Sequence, residues 1–155
     1  MNRIHIGVIA LLLALPTLAM AQGPAPAAAA EKKEPAQKGK LVFVSTTGLE
    51  DLSTLSSSLR HATTAKQSGY LSDVVWLSYG RSIVALDPTV KAVPDEIHKL
   101  AQAAKAAGVR LVACGTALDK FGIDPKKVTP QAEVVPNGVA ELSRLVAEGY
   151  AIIRY

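Results

Sequence analysis

The sequence predicts an α/β fold, a three-layer sandwich in which helices cover both faces of a mostly parallel, five-stranded sheet. Short apolar runs rich in β-branched residues alternate along the chain with segments whose apolar residues recur at helical spacing. This alternation is typical of parallel sheets, in which helices join the strands and pack on the sheet. With right-handed crossovers it gives a small flavodoxin-like sandwich. The predicted strands are 40–45, 74–77, 109–113, 132–135 and 150–155.

The first strand leads through a short turn into a long helix that ends at Gly69, a residue type favoured just past helix ends. Thr47 and, three residues later, Glu50 match the pattern of a capping box, so we expect Thr47 to cap this helix. The apolar residues that would form its buried face are Leu52, Leu55, Leu59, Ala62 and Ala65.

Later helices also have start signals. After an irregular segment, 81–93, Pro94 suits the first turn of a helix, and two acidic residues follow near its positive end. A short helix is predicted over 116–121. Asn137 is a favoured N-cap residue for the last helix, which leads into the final strand.

The chain is predicted to have three parts. Residues 1–21 form a secretory signal peptide, with a short positive head, an apolar stretch from Ile6 to Leu15 and a small-residue cleavage site. Residues 22–40 are rich in Ala, Pro and Lys and form a flexible linker. Residues 41–155 form one domain. We expect a periplasmic protein with no membrane segment once the signal peptide is removed.

The formal net charge of +4 is modest, and the lysines are spread over the linker, the helices and the loops. Because no basic run suits a phosphate backbone, we expect no nucleic-acid partner. Cys114 is the single cysteine, so the chain can form no internal disulfide and no thiolate zinc site. His61 and His98 are expected at the surface or at its boundary. We predict no metal and no cofactor.

Cys114 is the leading candidate for a functional residue. It stands at the end of the apolar run Val109–Ala113, and Gly115 and Thr116 follow as the turn into the next helix. Reactive groups of open α/β sheets gather beyond the carboxyl ends of the strands, and a helix N-terminus there favours a thiolate. Arg81, after another strand end, would add positive charge. The alternative is that Cys114 packs as a small apolar residue and is inert.

A second candidate is the loop 45–50, directly after the first strand. Its hydroxyl-bearing residues resemble the phosphate loop of flavodoxins, in which hydroxyls and backbone N–H groups bind a flavin phosphate. Trp76 and Tyr79 would then be stacking partners. Glu50 and the acidic residue after it place negative charge where the phosphate would bind. We therefore favour an ordinary helix start over a flavin site.

The segment 108–118, Gly-Val-Arg-Leu-Val-Ala-Cys-Gly-Thr-Ala-Leu, and the following 121–123, Phe-Gly-Ile, resemble the DsrE/DsrF-like sulfur-relay family. In that family, a Gly-Val pair and an apolar run lead to a cysteine, then to a leucine, a glycine and an aliphatic residue. Tyr79-Gly80 with the apolar segment 83–86 is similar to the family's strand-end glycine. The closing 142–153 is similar to its last helix and strand.

The resemblance implies a flavodoxin-like homo-oligomer, a trimer or a hexamer, whose matching cysteine accepts sulfane sulfur as a persulfide and passes it on. Backbone donors and bordering side chains are then expected around Cys114. The predicted pocket residues are Gly115, Thr116, Tyr79, Arg81 and Ser45.

We therefore predict a periplasmic sulfur carrier that exchanges sulfur with donor and acceptor proteins, a sulfurtransferase-like role that needs no turnover of its own. Two alternatives stay open. The domain is a non-catalytic oligomerisation or interaction module if Cys114 is buried and silent. It is a flavin-binding redox protein if the loop 45–50 binds a flavin phosphate.

Overall fold

The five apolar segments form one parallel sheet, which confirms the predicted α/β class. The computed structural model describes residues 38–128 and 130–155, so the predicted signal peptide and the linker up to residue 37 lie outside the described residues. The strands are β1 Gly39–Ser45, β2 Leu71–Ser78, β3 Arg110–Cys114, β4 Glu133–Val135 and β5 Tyr150–Arg154. Their order across the sheet is β4-β3-β2-β1-β5, and each neighbouring pair is parallel.

Helices connect the strands and pack on both faces of the sheet. They are α1 Leu52–Gln67, α2 Asp95–Ala106, α3 Gly115–Phe121, α4 Pro125–Val128 and α5 Gly138–Ala147. Two 3₁₀ segments, Leu49–Asp51 and Gly80–Leu86, precede α1 and follow β2. Within residues 38–128 and 130–155, no helix is long and apolar enough to span a membrane.

The start of α1 differs from the predicted one. Asp51 caps the helix, and its carboxylate accepts a hydrogen bond from the Thr54 N–H at 2.9 Å. The chain first passes Gly48, where a Cβ would lie 2.7 Å from the Cβ of Arg81. Because this loop packs so closely on the segment after β2, the helix begins beyond it. The prediction that Thr47 caps α1 is therefore wrong.

One face of the sheet packs against α1 and α2. Trp76 of β2 is completely buried there, and its indole N–H donates to the Ser58 hydroxyl of α1 at 3.0 Å. Phe43, its neighbour on β1, is buried beside it. Burying one large apolar side chain contributes about 1.5–3 kcal/mol to stability. Other buried members of this face include Leu55, Leu59, Ile83, Leu86, Ile97 and Leu118.

The opposite face is covered by α5. Among the described helices, only α5 packs apolar side chains onto the buried residues of this face, Leu145 and the half-buried Leu142. The strand residues that they cover are Val42, Val44, Val75, Leu77 and Val112. A five-stranded sheet is about 20 Å wide, whereas a helix with its side chains is about 10 Å across. One helix therefore leaves the margins of this face open.

Candidate functional site

The structure places the only cysteine at the carboxyl end of β3, directly before α3. The Cys114 side chain is largely buried, with 6% of the residue exposed. Its Sγ accepts a hydrogen bond from the backbone N–H of Gly138 at 3.1 Å. Gly138 is the first residue of α5, a helix of ten residues, so the sulfur lies at the positive end of a helix dipole.

The cap of α5 leaves the Gly138 N–H available to the sulfur. The Asn137 side-chain oxygen accepts hydrogen bonds from the N–H groups of Val139 at 2.9 Å and Ala140 at 3.0 Å. These bonds satisfy the next two donors of the first turn, while the Gly138 N–H points to Cys114. The prediction that Asn137 caps this helix is confirmed.

Gly138 also fixes the packing around the thiol. A Cβ at this position would lie 3.0 Å from the Cβ of Cys114, 3.0 Å from the Cβ of Tyr79 and 3.3 Å from the sulfur. Gly138 therefore lies against both Cys114 and Tyr79, and any larger residue would push α5 away from them. Tyr79, a predicted pocket residue, does border the site.

Gly115 and Thr116 contact the end of β4 and the residue after it, Pro136, rather than the sulfur. A Cβ on Gly115 would lie 3.1 Å from the Val135 carbonyl oxygen. The Thr116 N–H and hydroxyl both donate to the Pro136 carbonyl, at 3.3 and 3.1 Å. The Thr116 donors are thus occupied by the end of β4. The backbone donor observed at the sulfur comes from Gly138, which lies 24 residues further along the chain than Cys114.

A surface depression of about 270 Å³ lies close to this strand end, although neither Cys114 nor Gly138 lines it. Val135, which pairs with Cys114 across β3 and β4, and Asn137, which precedes Gly138, both line it. It extends along α5 to Glu141 and Arg144. A larger depression of about 440 Å³ lies at the amino ends of β3 and β4. Cys114 lies at the carboxyl end of β3, so this depression is not part of its site.

The charges at the far end of the depression are paired. The Arg144 guanidinium donates two hydrogen bonds to the Glu141 carboxylate, at 2.9 and 2.6 Å, and a third to Glu148. These hydrogen bonds lower the pKa of Glu141 and raise the pKa of Arg144. Arg144 is therefore neutralised locally and does not present an unpaired cation to the depression.

Arg81 is engaged away from the sulfur. Its Nε lies 2.7 Å from a Glu50 carboxylate oxygen, and its backbone N–H donates to the Thr46 carbonyl at 3.2 Å. Hydrogen bonds from the backbone at Gly48 and Glu50, together with Arg81, lower the pKa of Glu50. The positive charge of Arg81, which follows β2, thus forms an ion pair with Glu50.

Ser45 ends β1 and pairs with Ser78, which in turn pairs with Ala113, so it lies two strands away from β3. It is completely buried, and its hydroxyl has no hydrogen-bond partner among the described residues. Its carbonyl accepts hydrogen bonds from the Tyr79 N–H at 3.1 Å and the Ser82 hydroxyl at 2.6 Å. Ser45 therefore supports the loop of Tyr79 rather than contacting the sulfur directly.

The loop 45–50 offers little to a flavin. The Thr46 N–H and hydroxyl both donate to the Tyr155 carbonyl, at 3.0 and 3.1 Å. Trp76 is completely buried beneath α1 and cannot stack on an external ring. The Thr46 donors and the Trp76 ring that suggested the flavin alternative are thus used by the fold itself.

The two histidines that the structure describes, His61 and His98, also lie in structural positions. His98 is buried, which corrects its predicted place at the surface or its boundary, and its Nδ1 is 3.2 Å from the Ala85 carbonyl oxygen. His61 is exposed and hydrogen-bonds to the Tyr155 hydroxyl. In the part of the chain that the structure describes, no group of three His, Cys, Asp or Glu side chains could hold a metal ion.

A polar cluster that sequence reasoning missed crosses the amino ends of the strands. The Tyr150 hydroxyl donates to Asp73 at 2.5 Å, and Arg110 bridges Asp73 at 3.3 Å and Glu133 at 3.2 Å. Burial and the bond to Asp73 raise the pKa of Tyr150 to about 12. Although burial acts in the opposite direction, the bonds from Tyr150 and Arg110 lower the pKa of Asp73. This cluster lies at the amino ends of the strands, whereas Cys114 lies at their carboxyl ends.

The fold and the strand-end thiol define a small single-cysteine α/β protein. The chain belongs to the DsrE/DsrF-like family, whose family model matches residues 39–155. The predicted resemblance is therefore confirmed. Among curated proteins, none matches this chain.

Solved structures share the fold at low sequence identity. The ychN protein from E. coli is 19% identical, with a TM-score of 0.65, and the match covers 76% of this chain and 99% of that one. BT1422 from Bacteroides thetaiotaomicron, a conserved protein of unknown function, is 17% identical, with a TM-score of 0.60 and coverages of 75% and 94%. MTH1491 from Methanobacterium thermoautotrophicum, also of unknown function, is 22% identical, with a TM-score of 0.56 and coverages of 76% and 99%.

Proposed function

We propose that this protein is a periplasmic sulfur carrier that holds sulfane sulfur as a persulfide on Cys114. Membership of the DsrE/DsrF-like family supports a role of the sulfur-relay type. The observation that carries the proposal is the hydrogen bond from the Gly138 N–H to the Cys114 sulfur at the N-terminus of α5. This bond places the sulfur at the positive end of a helix dipole, where negative charge on it is stabilised.

The chemistry is an exchange between sulfur atoms that needs no external oxidant. The Cys114 thiolate attacks the outer sulfur of a persulfide or polysulfide donor, R–S–S⁻. A new S–S bond forms on Cys114 as the S–S bond of the donor breaks, and R–S⁻ leaves with the electron pair. An acceptor thiolate later attacks the outer sulfur of the Cys114 persulfide and releases Cys114 as a thiolate.

The Gly138 N–H assists at two points in this cycle. It stabilises negative charge on Sγ when Cys114 is the attacking group, and again when Sγ becomes the leaving group during delivery. The depression of about 270 Å³ lined by Val135 and Asn137, which neighbour Cys114 and Gly138, is the proposed approach for a small donor. Because only 6% of Cys114 is exposed, small inorganic donors would reach it more readily than bulky ones.

The place and the assembly of the protein are part of the proposal. The signal peptide predicted at 1–21 would deliver the domain to the periplasm, and the predicted linker, whose last residues Gly39 and Lys40 belong to β1, would tether it. There it would act as a homo-oligomer, a trimer or a hexamer, that exchanges sulfur with donor and acceptor proteins.

The test is intact-mass measurement of the mature protein after brief exposure to polysulfide and removal of the excess. We expect a gain equal to one or more sulfur atoms, which a thiol reductant reverses. The Cys114→Ser variant is the matched control and should gain nothing. If the wild-type protein gains no sulfur while it remains folded, the carrier role fails.

The burial of Cys114 favours a second candidate, a non-catalytic interaction module. The thiol lies in the main apolar cluster of the domain, as an inert cysteine would. Alkylation of the native protein separates the two functions. A thiol that is modified only at the rate of global unfolding supports the interaction module, whereas faster modification with loading by polysulfide supports the carrier.

A further inference from the structure

The outer edge of β5 is unusually apolar for an exposed sheet edge. β5 lies at one end of the strand order, and β1 is its only strand partner among residues 38–128 and 130–155. Four of its five residues are exposed. Ile152 and Ile153 are 49% and 39% exposed, and they point to opposite faces of the sheet because successive side chains of a strand alternate.

The other edge of the sheet is protected, whereas this edge is not. β4 has three residues and is followed directly by Pro136, which has no N–H to offer a neighbouring strand. Proteins usually protect edges with short strands, charges or prolines, because an exposed apolar edge pairs with other chains. β5 has five residues, no proline and one charged side chain, Arg154.

The helix beside this edge continues the apolar surface. α5 packs against β5, and Val146, near the end of α5, is exposed. We call Val146, Ile152 and Ile153 the edge patch. Ile152 lies on the face of the sheet that α5 covers only in part, and Ile153 lies on the opposite face.

We propose that β5 pairs antiparallel with β5 of a second copy, about a two-fold axis at Ile152, so that two five-stranded sheets join into one. In this register Ile152 opposes its own counterpart, and Ala151 opposes Ile153, a small side chain against a large one. Such an isologous contact closes on itself, as two-fold dimers do. The strand sequence Tyr-Ala-Ile-Ile-Arg thus complements itself.

Charge favours the antiparallel arrangement over a parallel one. Each Arg154 lies two residues from the proposed axis, so the two guanidinium groups attach to backbone positions about 14 Å apart. That separation exceeds the Debye length of about 8 Å at physiological ionic strength. A parallel, in-register pair would place the same two charges side by side. A two-fold axis perpendicular to the sheet also keeps both α5 helices on one face of the joined sheet.

This dimer leaves the proposed sulfur site open. Cys114 ends β3, and β2 and β1 separate β3 from β5. The two thiols therefore lie toward the outer ends of the joined sheet, away from the axis. α5 links the two regions, because its first residue contacts the sulfur and Val146, near its end, belongs to the edge patch. A hexamer with three two-fold axes would contain this contact three times.

Cysteine cross-linking in the Cys114→Ser background of the mature protein tests the register. Directly opposed residues of antiparallel strands have Cα atoms about 4.5–5.5 Å apart, within the range of a disulfide. We expect Ile152→Cys to form a covalent dimer under mild oxidation. Ile153→Cys alone should not, because it opposes Ala151, but a mixture of Ile153→Cys and Ala151→Cys proteins should. Tyr70→Cys, at a residue 82% exposed and remote from β5, is the matched control.

The sedimentation of Ile152→Lys gives a second measurement. We expect this substitution to raise at least tenfold the protein concentration at which the assembly is half dissociated, with an unchanged circular dichroism spectrum. The proposal is wrong if Ile152→Cys cross-links no faster than Tyr70→Cys, or if Ile152→Lys assembles like the wild type. It is also wrong if removal of residues 22–37 is required for cross-linking, because the linker of the same chain then covers the edge. These results do not depend on whether Cys114 carries sulfur.

Discussion

The backbone N–H of Gly138 and the sulfur of Cys114 meet at 3.1 Å, where the end of β3 comes against the start of α5. Neither residue is informative alone, since a lone buried thiol is common and glycine is common near helix starts. Their contact joins a nucleophile to a helix dipole in a space where a Cβ would lie only 3.0 Å from the Cβ of Cys114. This geometry makes Gly138 the most informative position at which to test the proposed function.

Gly138→Ala should disturb the site strongly, although it adds only one methyl group. The added methyl would overlap the Cβ atoms of Cys114 and Tyr79 and displace the first turn of α5. We expect a loss of about 1–3 kcal/mol in the free energy of unfolding, as for other overpacked sites. We also expect at least a tenfold slower loading of Cys114 by polysulfide. Denaturant titration and timed mass spectrometry measure the two effects.

The exposed neighbour Val139 supplies the control for that variant. Val139→Ala should change stability by less than about 0.5 kcal/mol and leave the loading rate unchanged, because its side chain points to solvent. If Gly138→Ala loads Cys114 as fast as Val139→Ala does, the hydrogen bond has no part in the chemistry.

Two substitutions of Asn137 should distinguish the effect of the helix cap on stability from the effect of local charge on the loading of Cys114. Asn137→Ala removes the acceptor for the Val139 and Ala140 N–H groups and should lower the free energy of unfolding by about 1 kcal/mol. Asn137→Asp keeps the cap, so stability should be retained. Its negative charge, however, lies beside the site and should slow loading by anionic polysulfide. Equal loading rates for wild type and Asn137→Asp would argue against an anionic donor reaching Cys114 from this side.

Much of the fold could be predicted from the sequence, because strand and helix periodicities are local. The continuous apolar runs of β1 and β3 and the Asn137 cap of α5 are examples. The start of α1 could not be predicted, because it depends on Gly48 packing against Arg81 from another loop.

The same limit applies to the site. The carboxyl end of β3 could be recognised from the sequence, and so could Cys114 as its candidate nucleophile. The donor to its sulfur could not, because the path of the chain from β4 to α5 decides which N–H reaches it. Gly115 and Thr116 are adjacent to Cys114 in sequence, yet the N–H and hydroxyl of Thr116 bond to Pro136.

Arg81 should have no electrostatic effect on Cys114. Its guanidinium pairs with Glu50 on the exposed surface. We expect Arg81→Ala and Glu50→Gln each to change the loading rate of Cys114 less than twofold, at both low and high salt. A large decrease for Arg81→Ala, with an increase for Glu50→Gln at low salt only, would show that this cation acts on the thiol.

Tyr150→Phe should change the pH dependence of stability. The pKa of Tyr150 is raised to about 12, so its bond to Asp73 stabilises the fold fully below about pH 10 and is lost as pH rises toward 12. The pKa of Asp73 is lowered, so the same bond is also lost as acid protonates Asp73. We expect Tyr150→Phe to cost about 1–2 kcal/mol at neutral pH, with the difference from wild type shrinking at both extremes.

The exposed Tyr70 supplies the control for Tyr150→Phe. Tyr70→Phe removes a hydroxyl of the same chemistry from a residue that is 82% exposed. Its unfolding free energy should follow that of the wild type from pH 5 to pH 11. A Tyr150→Phe curve that runs parallel to the wild type over the same range would mean that the bond to Asp73 does not form in solution.

Ser45 and Ser82 form a pair of buried serines with opposite expected outcomes. The Ser82 hydroxyl donates to the Ser45 carbonyl at 2.6 Å and bonds to the Ser78 hydroxyl at 2.8 Å, so Ser82→Ala should cost about 1–3 kcal/mol. The Ser45 hydroxyl has no partner among the described residues, so its burial is uncompensated. We therefore expect Ser45→Ala to leave stability unchanged or raise it by up to about 1 kcal/mol. Polysulfide should load Cys114 of the Ser45→Ala variant at the wild-type rate, because β1, which Ser45 ends, lies two strands from β3. If Ser45→Ala instead slows loading while stability is retained, the Ser45 hydroxyl acts on the sulfur site, which then extends beyond Cys114, Gly138 and Tyr79.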